Sequence, residues 1–314
     1  MLILTVICSF LLDIVLGEPK RYHPLVGFGL IAIRIESYLN RPKWSQISRF
    51  FFGVLSWMLL VLLPVLLFTL LLAFFISEST PLWVVIFFDS VVLYFAIGYK
   101  SLRQHTMAVL KPLVQGDLSS ARYKVSMMVS RDAQSLDDDG VRKATLESVL
   151  ENGSDAIFAP VFWFLIGGLP AVLVYRFANT LDAMWGYKTE QFLYFGRFSA
   201  RMDDILNWLP ARLVGFSYAL VGKIQAALRC WREQSHLLES PNGGVVMTAG
   251  AGALNVTLGG NSYYKGELKE KPLFGCGETP ENNDLLRCLN LIDKTLLLWL
   301  LCLITVQVIQ YSYA

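Results

Sequence analysis

Long apolar stretches alternate with polar segments along the chain. The longest, residues 51–76, holds twenty-six residues without a charge. A helix rises about 1.5 Å per residue, so about twenty residues span the ~30 Å hydrocarbon core of a bilayer. The pattern therefore predicts an all-α polytopic integral membrane protein with four to five membrane-embedded helical segments. These segments are residues 2–16, 51–76, 82–99, 156–175 and 295–314.

Two of the apolar segments carry helix-breaking residues. Pro64 predicts a kink in the second segment. The fourth is broken between Gly167 and Pro170, so it either crosses once or forms two half-helices that re-enter on one side. Lys and Arg concentrate in 17–50 and 100–155, which places both on the cytoplasmic side. A re-entrant segment is favoured because it keeps the polar residues after it in the same compartment.

Composition narrows the class further. The chain is 54% hydrophobic and only 17% charged, whereas soluble domains carry about a quarter charged residues. Its net charge of +2 is not concentrated in a basic patch, so no nucleic-acid partner is expected. The five cysteines form no spaced pair, which argues against a disulfide framework and against a zinc site. We expect one membrane domain over 1–314, with polar loops at 100–155 and 176–294.

The first cluster of candidate catalytic residues lies on a helix predicted over Gly140–Asn152. On it Glu147, Glu151 and Asp155 recur every four residues, so they share one face if the helix continues that far. Such a face is either a magnesium site, which uses carboxylates and phosphate oxygens, or a solvated acidic surface. Its position directly before a membrane segment favours the site.

The second cluster follows the broken segment. It pairs acids and amides with arginines, whose guanidinium groups bind phosphate or carboxylate through two parallel hydrogen bonds. An amphipathic helix held by local salt bridges is the competing interpretation. The residues are Asn179, Asp182, Arg201, Asp203, Asp204, Asn207 and Arg212. Because the two clusters flank the broken segment, they could close over a common site.

A third candidate region is rich in glycine. Gly-rich turns let backbone N–H groups approach an anion, although small residues equally suit close helix packing. Its candidate residues are Ser240, Asn242, Gly259 and Gly260, on either side of the small-residue stretch 249–254.

Read in order, these motifs resemble the CobD/CbiB family of cobalamin-biosynthesis membrane proteins over essentially the whole chain. The departures are Ala133, Gly153, Gly243 and Gly250, where the family usually has Thr, Thr, Ala and Met. The matching motifs are Leu16-Gly17-Glu18-Pro19 after Asp13, His23-Pro24, Ser130-Arg131-Asp132, Glu147-Ser148, Glu151-Asn152, Tyr175-Arg176, Asn179-Thr180-Leu181-Asp182, Ala200-Arg201, Asp203-Asp204, Asn207-Trp208, Pro210-Ala211-Arg212, Ser240-Pro241-Asn242 and Leu258-Gly259-Gly260.

The resemblance implies an adenosylcobinamide-phosphate synthase, which joins adenosylcobyric acid to aminopropanol phosphate or aminopropanol with ATP and Mg²⁺. It implies a multi-pass protein of the cell inner membrane, in contact with lipid. Whether other corrinoid-pathway enzymes dock on its loops stays open. The implied catalytic residues are Glu147, Glu151, Asn152, Asp155, Asn179, Asp182, Asp203, Asp204 and Asn207. The implied substrate-binding and ATP-binding residues are Arg131, Asp132, Arg201, Arg212, Ser240, Asn242, Gly259 and Gly260, and Glu147, Glu151 and Asp155 would hold Mg²⁺.

Two other classes of function compete with this expectation. One is a non-enzymatic signalling paralogue of the same superfamily, which has no need of a full set of acids, arginines and amides. The other is a small-solute transporter, for which a broken membrane helix is typical. The sequence shows no inverted repeat, and its polar residues lie in loops rather than across the spans.

Overall fold

The computed structural model describes residues 1–19, 23–77, 79–264 and 267–313. Lys20 and Arg21 of the basic segment 17–50, and Ala314 of the last predicted membrane segment, lie outside the described residues. The helices, in chain order, are α1 (Leu2–Leu16), α2 (Pro24–Leu39), α3 (Gln46–Trp57), α4 (Leu63–Phe75), α5 (Leu82–Ala96), α6 (Tyr99–Val114), α7 (Leu118–Val125), α8 (Asp138–Gly153), α9 (Ala159–Trp185), α10 (Arg197–Val221), α11 (Ile224–Gln234), α12 (Gly243–Leu254) and α13 (Asn282–Tyr313). The short strands are β1 (Thr257–Gly259), β2 (Ser262–Tyr264), β3 (Glu267–Lys269) and β4 (Leu273–Gly275).

The helical, membrane-spanning class is confirmed. Helices over Gln46–Phe75, Leu82–Val114, Asp138–Trp185 and Asn282–Gln310 are long and apolar enough to cross a bilayer. Large apolar side chains on them face outward; Phe74, for example, is 80% exposed. Exposure of this kind is stable in hydrocarbon and costly in water. The predicted helix at residues 2–16 matches α1, which is too short to span in a regular upright helix.

The distortion predicted at Pro64 takes the form of a π-helical turn. Met58–Leu62 joins α3 to α4, and the Leu63 N–H reaches back to the Met58 carbonyl. A π turn relaxes the regular hydrogen-bond ladder just before a proline that has no N–H to give. The predicted segment 82–99 is corrected at its end, because α5 ends at Ala96 and a separate helix, α6, begins at Tyr99.

The break in α9 is confirmed at two glycines. Gly167 and Gly168 have non-helical backbone angles, and Gly168 lies at φ +61°. Pro170 follows directly and cannot donate a backbone hydrogen bond. Whether this segment crosses the membrane or re-enters it stays a prediction.

The chain forms two compact units, each built from two segments. Unit 1 is Met1–Gly98 with Ala159–Asn207, and unit 2 is Tyr99–Phe158 with Trp208–Ala314. Unit 1 has a core of aromatic and aliphatic side chains that includes Phe28, Trp57 and Trp185.

Unit 2 is organised around α8, whose middle is buried from Ala144 to Leu150. Helix α12 is entirely buried and packs closely on α11: a side chain at Gly252 would lie 2.7 Å from the Ala226 carbonyl oxygen. For this stretch the packing interpretation of the small residues is therefore confirmed. Three of the positions where this chain departs from the family have no room for a side chain. The space is filled by Ile292 and Tyr218 at Gly153, by Glu151 at Gly243, and by Leu150 at Gly250.

The small strands of unit 2 have no counterpart in the sequence prediction. β1 pairs antiparallel with β4, with Gly259 opposite Leu273, and β2 pairs with β3 in the same sense. The segment 257–275 is therefore a hairpin whose base lies beside α8 and α12.

Candidate active site

Glu147 is the centre of the polar cluster in unit 2. It is 2% exposed, although it carries a carboxylate. One oxygen, Oε2, accepts hydrogen bonds from Arg131 Nη2 at 2.5 Å and from Lys271 Nζ at 2.6 Å. The other, Oε1, accepts the backbone N–H of Gly259 at 2.8 Å. A buried carboxylate is therefore fully engaged by two cations and one backbone donor.

The backbone of the hairpin explains why a glycine donates this hydrogen bond. Gly259 has φ +79°, and a side chain there would lie 2.2 Å from the Pro272 carbonyl oxygen. Only glycine meets both constraints without strain. Because Gly259 pairs with Leu273, the same turn also brings Lys271 to the Glu147 carboxylate.

Glu147 and its two cations differ in how far they are buried. The side chains of Glu147, Arg131 and Lys271 are 3%, 10% and 20% exposed. Desolvating such charges is costly unless each is paired, and the carboxylate provides the pairing. Lys271 is the most exposed of the three, so it is the cation that a ligand reaches most easily.

A second group of polar residues surrounds the start of α12. Glu151 lies against Gly243, where a side chain would come within 2.5 Å of Glu151 Oε1. The Gly243 N–H donates to Ser240 Oγ at 2.9 Å. A carboxylate at the N-terminus of a helix is favoured by the helix dipole. Glu147 and Glu151 thus face different partners, one turn apart on α8.

Arg212 is fixed beside this helix start. Its Nη1 donates to Asn242 Oδ1 at 2.7 Å and to the Trp208 carbonyl at 2.8 Å. Its guanidinium carbon lies 4.5 Å from the centre of the Trp208 ring. Burial lowers the pKa of Arg212, yet an arginine stays protonated at neutral pH. The side chain is a positioned cation with donors left for an anion.

The predicted magnesium site does not match the arrangement at Glu147. A metal ligand needs oxygen lone pairs that face the ion, and those of Glu147 face Arg131, Lys271 and Gly259. Among the described residues, no group of three or more His, Cys, Asp and Glu side chains lies together as a metal site requires. Magnesium binding by Glu151 and Asp155 stays a prediction.

Asp155 also departs from the expected face of α8. It lies in a π-helical turn, Ser154–Phe158, so the regular spacing ends at Gly153. Burial raises the pKa of Tyr218, and the charge of Asp155 raises it further.

Two other predicted residues of this unit make local contacts. Asn152 is exposed and donates to the Ser148 carbonyl at 2.8 Å. Asp132 is exposed and caps the short 3₁₀ turn Ala133–Ser135 by accepting the Gln134 N–H. Gly260, at φ +99°, continues the turn that begins at Gly259.

Unit 1 holds a separate polar network centred on Asp203. Its two carboxylate oxygens accept Asn179 Nδ2 at 3.1 Å and Asn207 Nδ2 at 3.0 Å. Arg176 donates to Asn179 Oδ1 at 3.4 Å, and the buried Tyr175 hydroxyl donates to Asn207 Oδ1 at 3.0 Å. The hydrogen bonds of this network all run toward the Asp203 carboxylate. They fix the orientation of the Asn179 and Asn207 side-chain amides.

The adjacent acids of unit 1 have different surroundings. Asp203 is 8% exposed. Burial raises the pKa of Asp203 and the charge of Asp204 acts in the same direction, whereas the hydrogen bonds from Asn179 and Asn207 oppose the shift. Burial also raises the pKa of Asp204, while Lys188 acts in the opposite direction. Neighbouring residues on a helix point about 100° apart, which explains their different surroundings.

The remaining predicted residues of unit 1 are Arg201 and Asp182. Arg201 is exposed and makes no side-chain hydrogen bond or ion pair within the described parts of the chain. The Asp182 carboxylate covers Gly186, where a side chain would come within 2.1 Å of Asp182 Oδ1.

Sequence reasoning missed Lys271. It lies 124 positions from Glu147, in a short polar stretch without periodicity, so no local pattern pointed to it. Sequence reasoning included Tyr175 in a motif but did not predict that its hydroxyl donates a hydrogen bond to Asn207.

The fold and these clusters define a multi-pass helical membrane protein with a charged site in unit 2. A sequence profile described as "CobD/Cbib protein" matches residues 6–292. A protein named "Cobalamin biosynthesis protein CobD" from Chromobacterium violaceum is 48% identical over 93% of this chain and 92% of its own length. Proteins of the same name from Stutzerimonas stutzeri and Clostridium perfringens are 47% and 34% identical, over 96% and 86% of both chains, respectively.

The chain therefore belongs to the CobD/CbiB family. No solved structure matches it.

Proposed function

We propose that this protein catalyses ATP-dependent amide-bond formation in cobalamin biosynthesis, as an adenosylcobinamide-phosphate synthase. The family and the names of its relatives support the pathway. The observation that carries the reaction is the group of positioned cations in unit 2, with Arg131 and Lys271 on Glu147 and with Arg212 on Asn242. Positioned cations of this kind are what phosphoryl transfer requires of a protein.

The chemistry has two steps. An oxygen of the adenosylcobyric acid carboxylate attacks the γ-phosphorus of ATP, the bond to the ADP oxygen breaks, and an acyl phosphate forms. The nitrogen of aminopropanol phosphate or aminopropanol then attacks the acyl carbon. The carbon–oxygen bond breaks, phosphate leaves, and the nitrogen loses a proton to a base.

Arg212 is the proposed ligand of the ATP phosphates. It is partly exposed, and it is held by Asn242 and the Trp208 carbonyl, so little ordering is needed when an anion binds. Mg²⁺ is proposed to arrive with ATP as part of the substrate complex.

Glu151 is the proposed base. Glu147 is buried, whereas Glu151 lies half-buried at the start of α12. A base must also be reachable by the substrate, and Glu151 is more exposed than Glu147.

The Asp203 network of unit 1 has a proposed positioning role. Asn179 and Asn207 each donate one N–H to Asp203. Asn207 is buried and holds Asp203, whereas Asn179 is partly exposed and is the amide proposed to orient a substrate carboxylate or amine. Asp182, Asp204 and Arg201 stay predicted site residues of the same unit.

We also propose that the polar loops face the cytoplasm from the cell inner membrane. The hydrogen bonds from Gly259 and Lys271 to Glu147 join α8, which precedes α9, to the hairpin, which follows α9. Residues in direct contact lie in one compartment, which supports a re-entrant segment or another even number of crossings between them.

One assay tests the proposed reaction. Purified protein receives adenosylcobyric acid, aminopropanol phosphate or aminopropanol, and Mg²⁺–ATP, and the amide is detected by mass spectrometry. We expect an ATP-dependent amide from the wild type and a loss of about 100-fold or more in Glu151→Gln, the usual scale for a general base. Glu233→Gln, an exposed acid elsewhere in unit 2, serves as the matched control. Absence of amide would reject the reaction, and near-normal Glu151→Gln activity would reject the base.

A further inference from the structure

The part of α10 that belongs to unit 2 carries an exposed apolar stripe. The opposite side of the same helix is buried, with Val214 and Tyr218 fully covered. This part of α10 is therefore apolar on two sides, of which one packs in the protein and one is uncovered. The stripe consists of four large side chains that recur every three or four residues and are each between 39% and 47% exposed, namely Leu209, Leu213, Phe216 and Leu220.

Helix α11, which follows directly, has an exposed apolar side of its own. Ile224 and Leu228 lie one turn apart on it, and both are exposed. The inner side of α11 is held in the protein. The Gln234 side chain donates to the Gly275 carbonyl at 3.1 Å and accepts the Gly275 N–H at 2.7 Å. Helix α11 is therefore fixed against the end of the hairpin, with its apolar side facing outward.

A hydrogen bond places α10 at the level of the membrane boundary. Ser217 Oγ accepts the indole N–H of Trp299 at 3.0 Å. Trp299 lies on α13, which is long and apolar enough to cross a bilayer, and about 7 Å along the helix from its last charge, Lys294. Tryptophan is enriched where spanning helices pass the interface between membrane and water. The stripe of α10 therefore lies beside a lipid-facing helix, at about the depth of this interface.

An interfacial position explains the two helices better than a crossing does. Among the described residues, the helices long and apolar enough to cross a bilayer do not include α10 or α11. A continuous apolar surface is nevertheless costly in water. An amphipathic helix that lies in the plane of the interface covers its apolar side by burying it about 5–10 Å into the boundary of headgroups and acyl chains.

The charges on α11 and at its start indicate which lipid this surface contacts. Lys223, Arg229 and Arg232 are exposed, and Glu233 is the one acid in the segment 222–234. Lys223 and Arg229 also line an open cavity of about 600 Å³ at the start of α11. Cationic side chains beside an exposed apolar surface match negatively charged headgroups. A second copy of the chain would instead present the same cations, so that like charges would meet.

We infer that residues 209–232 of α10 and α11 form an interfacial surface that docks on a bilayer leaflet containing anionic lipid. Lys223, Arg229 and Arg232 contact the headgroups, and the apolar side chains lie among the upper acyl chains. This surface is a membrane contact in addition to the four candidate spans of the described chain. It does not depend on the proposed reaction.

Contact with lipid is tested by fluorescence quenching in nanodiscs. The full chain, with its five native cysteines replaced, carries one bimane-labelled cysteine, Leu228→Cys or the control Glu233→Cys, about 140° apart around α11. We expect bromine on lipid acyl chains to quench the label at position 228 and to leave the label at 233 bright, and iodide in the water to do the reverse. Leu220→Cys is a second probe, on α10, if the substitution at 228 prevents folding.

The preference for anionic lipid is tested with the same probes. Brominated phosphatidylglycerol is expected to associate at position 228 about fivefold or more tightly than brominated phosphatidylcholine, the scale of one basic residue near a membrane surface. The double variant Arg229→Gln/Arg232→Gln is expected to lose this preference. Arg229→Lys/Arg232→Lys, which keeps the charge, is expected to retain it.

Four results would overturn the inference. Equal lipid quenching at 228 and 233 would show that this side of α11 does not face lipid. Cross-linking between Leu228→Cys chains without lipid quenching would identify a second copy as the occupant. Equal association of the two lipids, or an unchanged preference in the glutamine variant, would remove the anionic headgroup from the assignment.

Discussion

The backbone N–H of Gly259 donates to Glu147 Oε1 at 2.8 Å, across 112 positions of sequence. Lys271, from the other side of the same hairpin, donates to the second oxygen of that carboxylate. Glu147 therefore holds the hairpin against α8 through these hydrogen bonds, and its carboxylate pairs with the cation of Lys271. Glu147, which the sequence predicts as a metal ligand, anchors the hairpin in the structure.

Removing the charge of Glu147 is expected to destabilise unit 2. Glu147→Gln removes the carboxylate charge that pairs with Arg131 and with the partly exposed Lys271, and breaking a buried pair costs about 3–5 kcal/mol. The measurement is thermal unfolding in detergent. Asp139→Asn is the control, because Asp139 pairs with Arg142 while its side chain is 50% exposed, and an exposed pair contributes at most about 1 kcal/mol. Equal destabilisation by the two variants would show that Glu147 is not an anchor.

Substitutions at two neighbouring glycines distinguish the effect of backbone strain from that of steric clash. Gly259 and Gly260 both have positive φ, so alanine is strained at either position by about 1–3 kcal/mol. A side chain at 259 also meets the Pro272 carbonyl at 2.2 Å, whereas at 260 the nearest atom, on Leu273, is 3.6 Å away.

Gly259→Ala is therefore expected to release the hairpin and Gly260→Ala to keep it docked. Limited proteolysis within 257–275 measures this. Equal cleavage of the two variants would contradict the tight approach at Gly259.

The stability of the protein is expected to fall with rising pH because of Asp203. Burial raises the pKa of Asp203, with Asn179 and Asn207 acting in the opposite direction. A carboxyl with a raised folded pKa keeps its proton in the folded state where the unfolded chain has lost it. Its stabilising contribution is complete below the ordinary Asp pKa and is lost as pH rises through the folded pKa.

Asp203→Asn should flatten this slope in unfolding measured from pH about 4 to 8. Asp117→Asn supplies a control of opposite sign, since hydrogen bonds from Ser120 lower the pKa of that exposed carboxyl. A slope in Asp203→Asn equal to that of the wild type would contradict the prediction.

The contact of Glu147 with Gly259 also predicts membrane topology. Single cysteines at Asp138 and Glu233, both exposed, should react with an impermeant thiol reagent from the same side of sealed vesicles, after the five native cysteines have been replaced. Oriented vesicles then show whether that side is the cytoplasm. Labelling from opposite sides would contradict both the contact and the re-entrant segment.

Much of the helical fold could be predicted, because lipid-facing helices need long uncharged runs that are visible in the sequence. The helix predicted over Gly140–Asn152 is α8, and its N-cap, Asp137, comes from the acidic run that precedes it. The π turns at Met58–Leu62 and Ser154–Phe158 could not be predicted, since they depend on packing and leave no periodic signal.

Part of the polar site could also be predicted, because it depends on the spacing of residues along one helix. Asp203 and Asn207 are four residues apart on one helix face, and their contact follows from that spacing. The three-residue strands of the hairpin are too short for a recognisable alternation, so the partner that Lys271 finds at Glu147 could not be read from local sequence.

The most direct test of the central claim follows oxygen during amide formation. Adenosylcobyric acid labelled with ¹⁸O in its free carboxylate is given to the protein with aminopropanol phosphate and Mg²⁺–ATP. Because the carboxylate oxygen attacks the γ-phosphorus and leaves with it, the account predicts one ¹⁸O in the released phosphate, with amide and ADP formed in equal amounts. Amide accompanied by AMP, or ATP hydrolysis without amide, would contradict it.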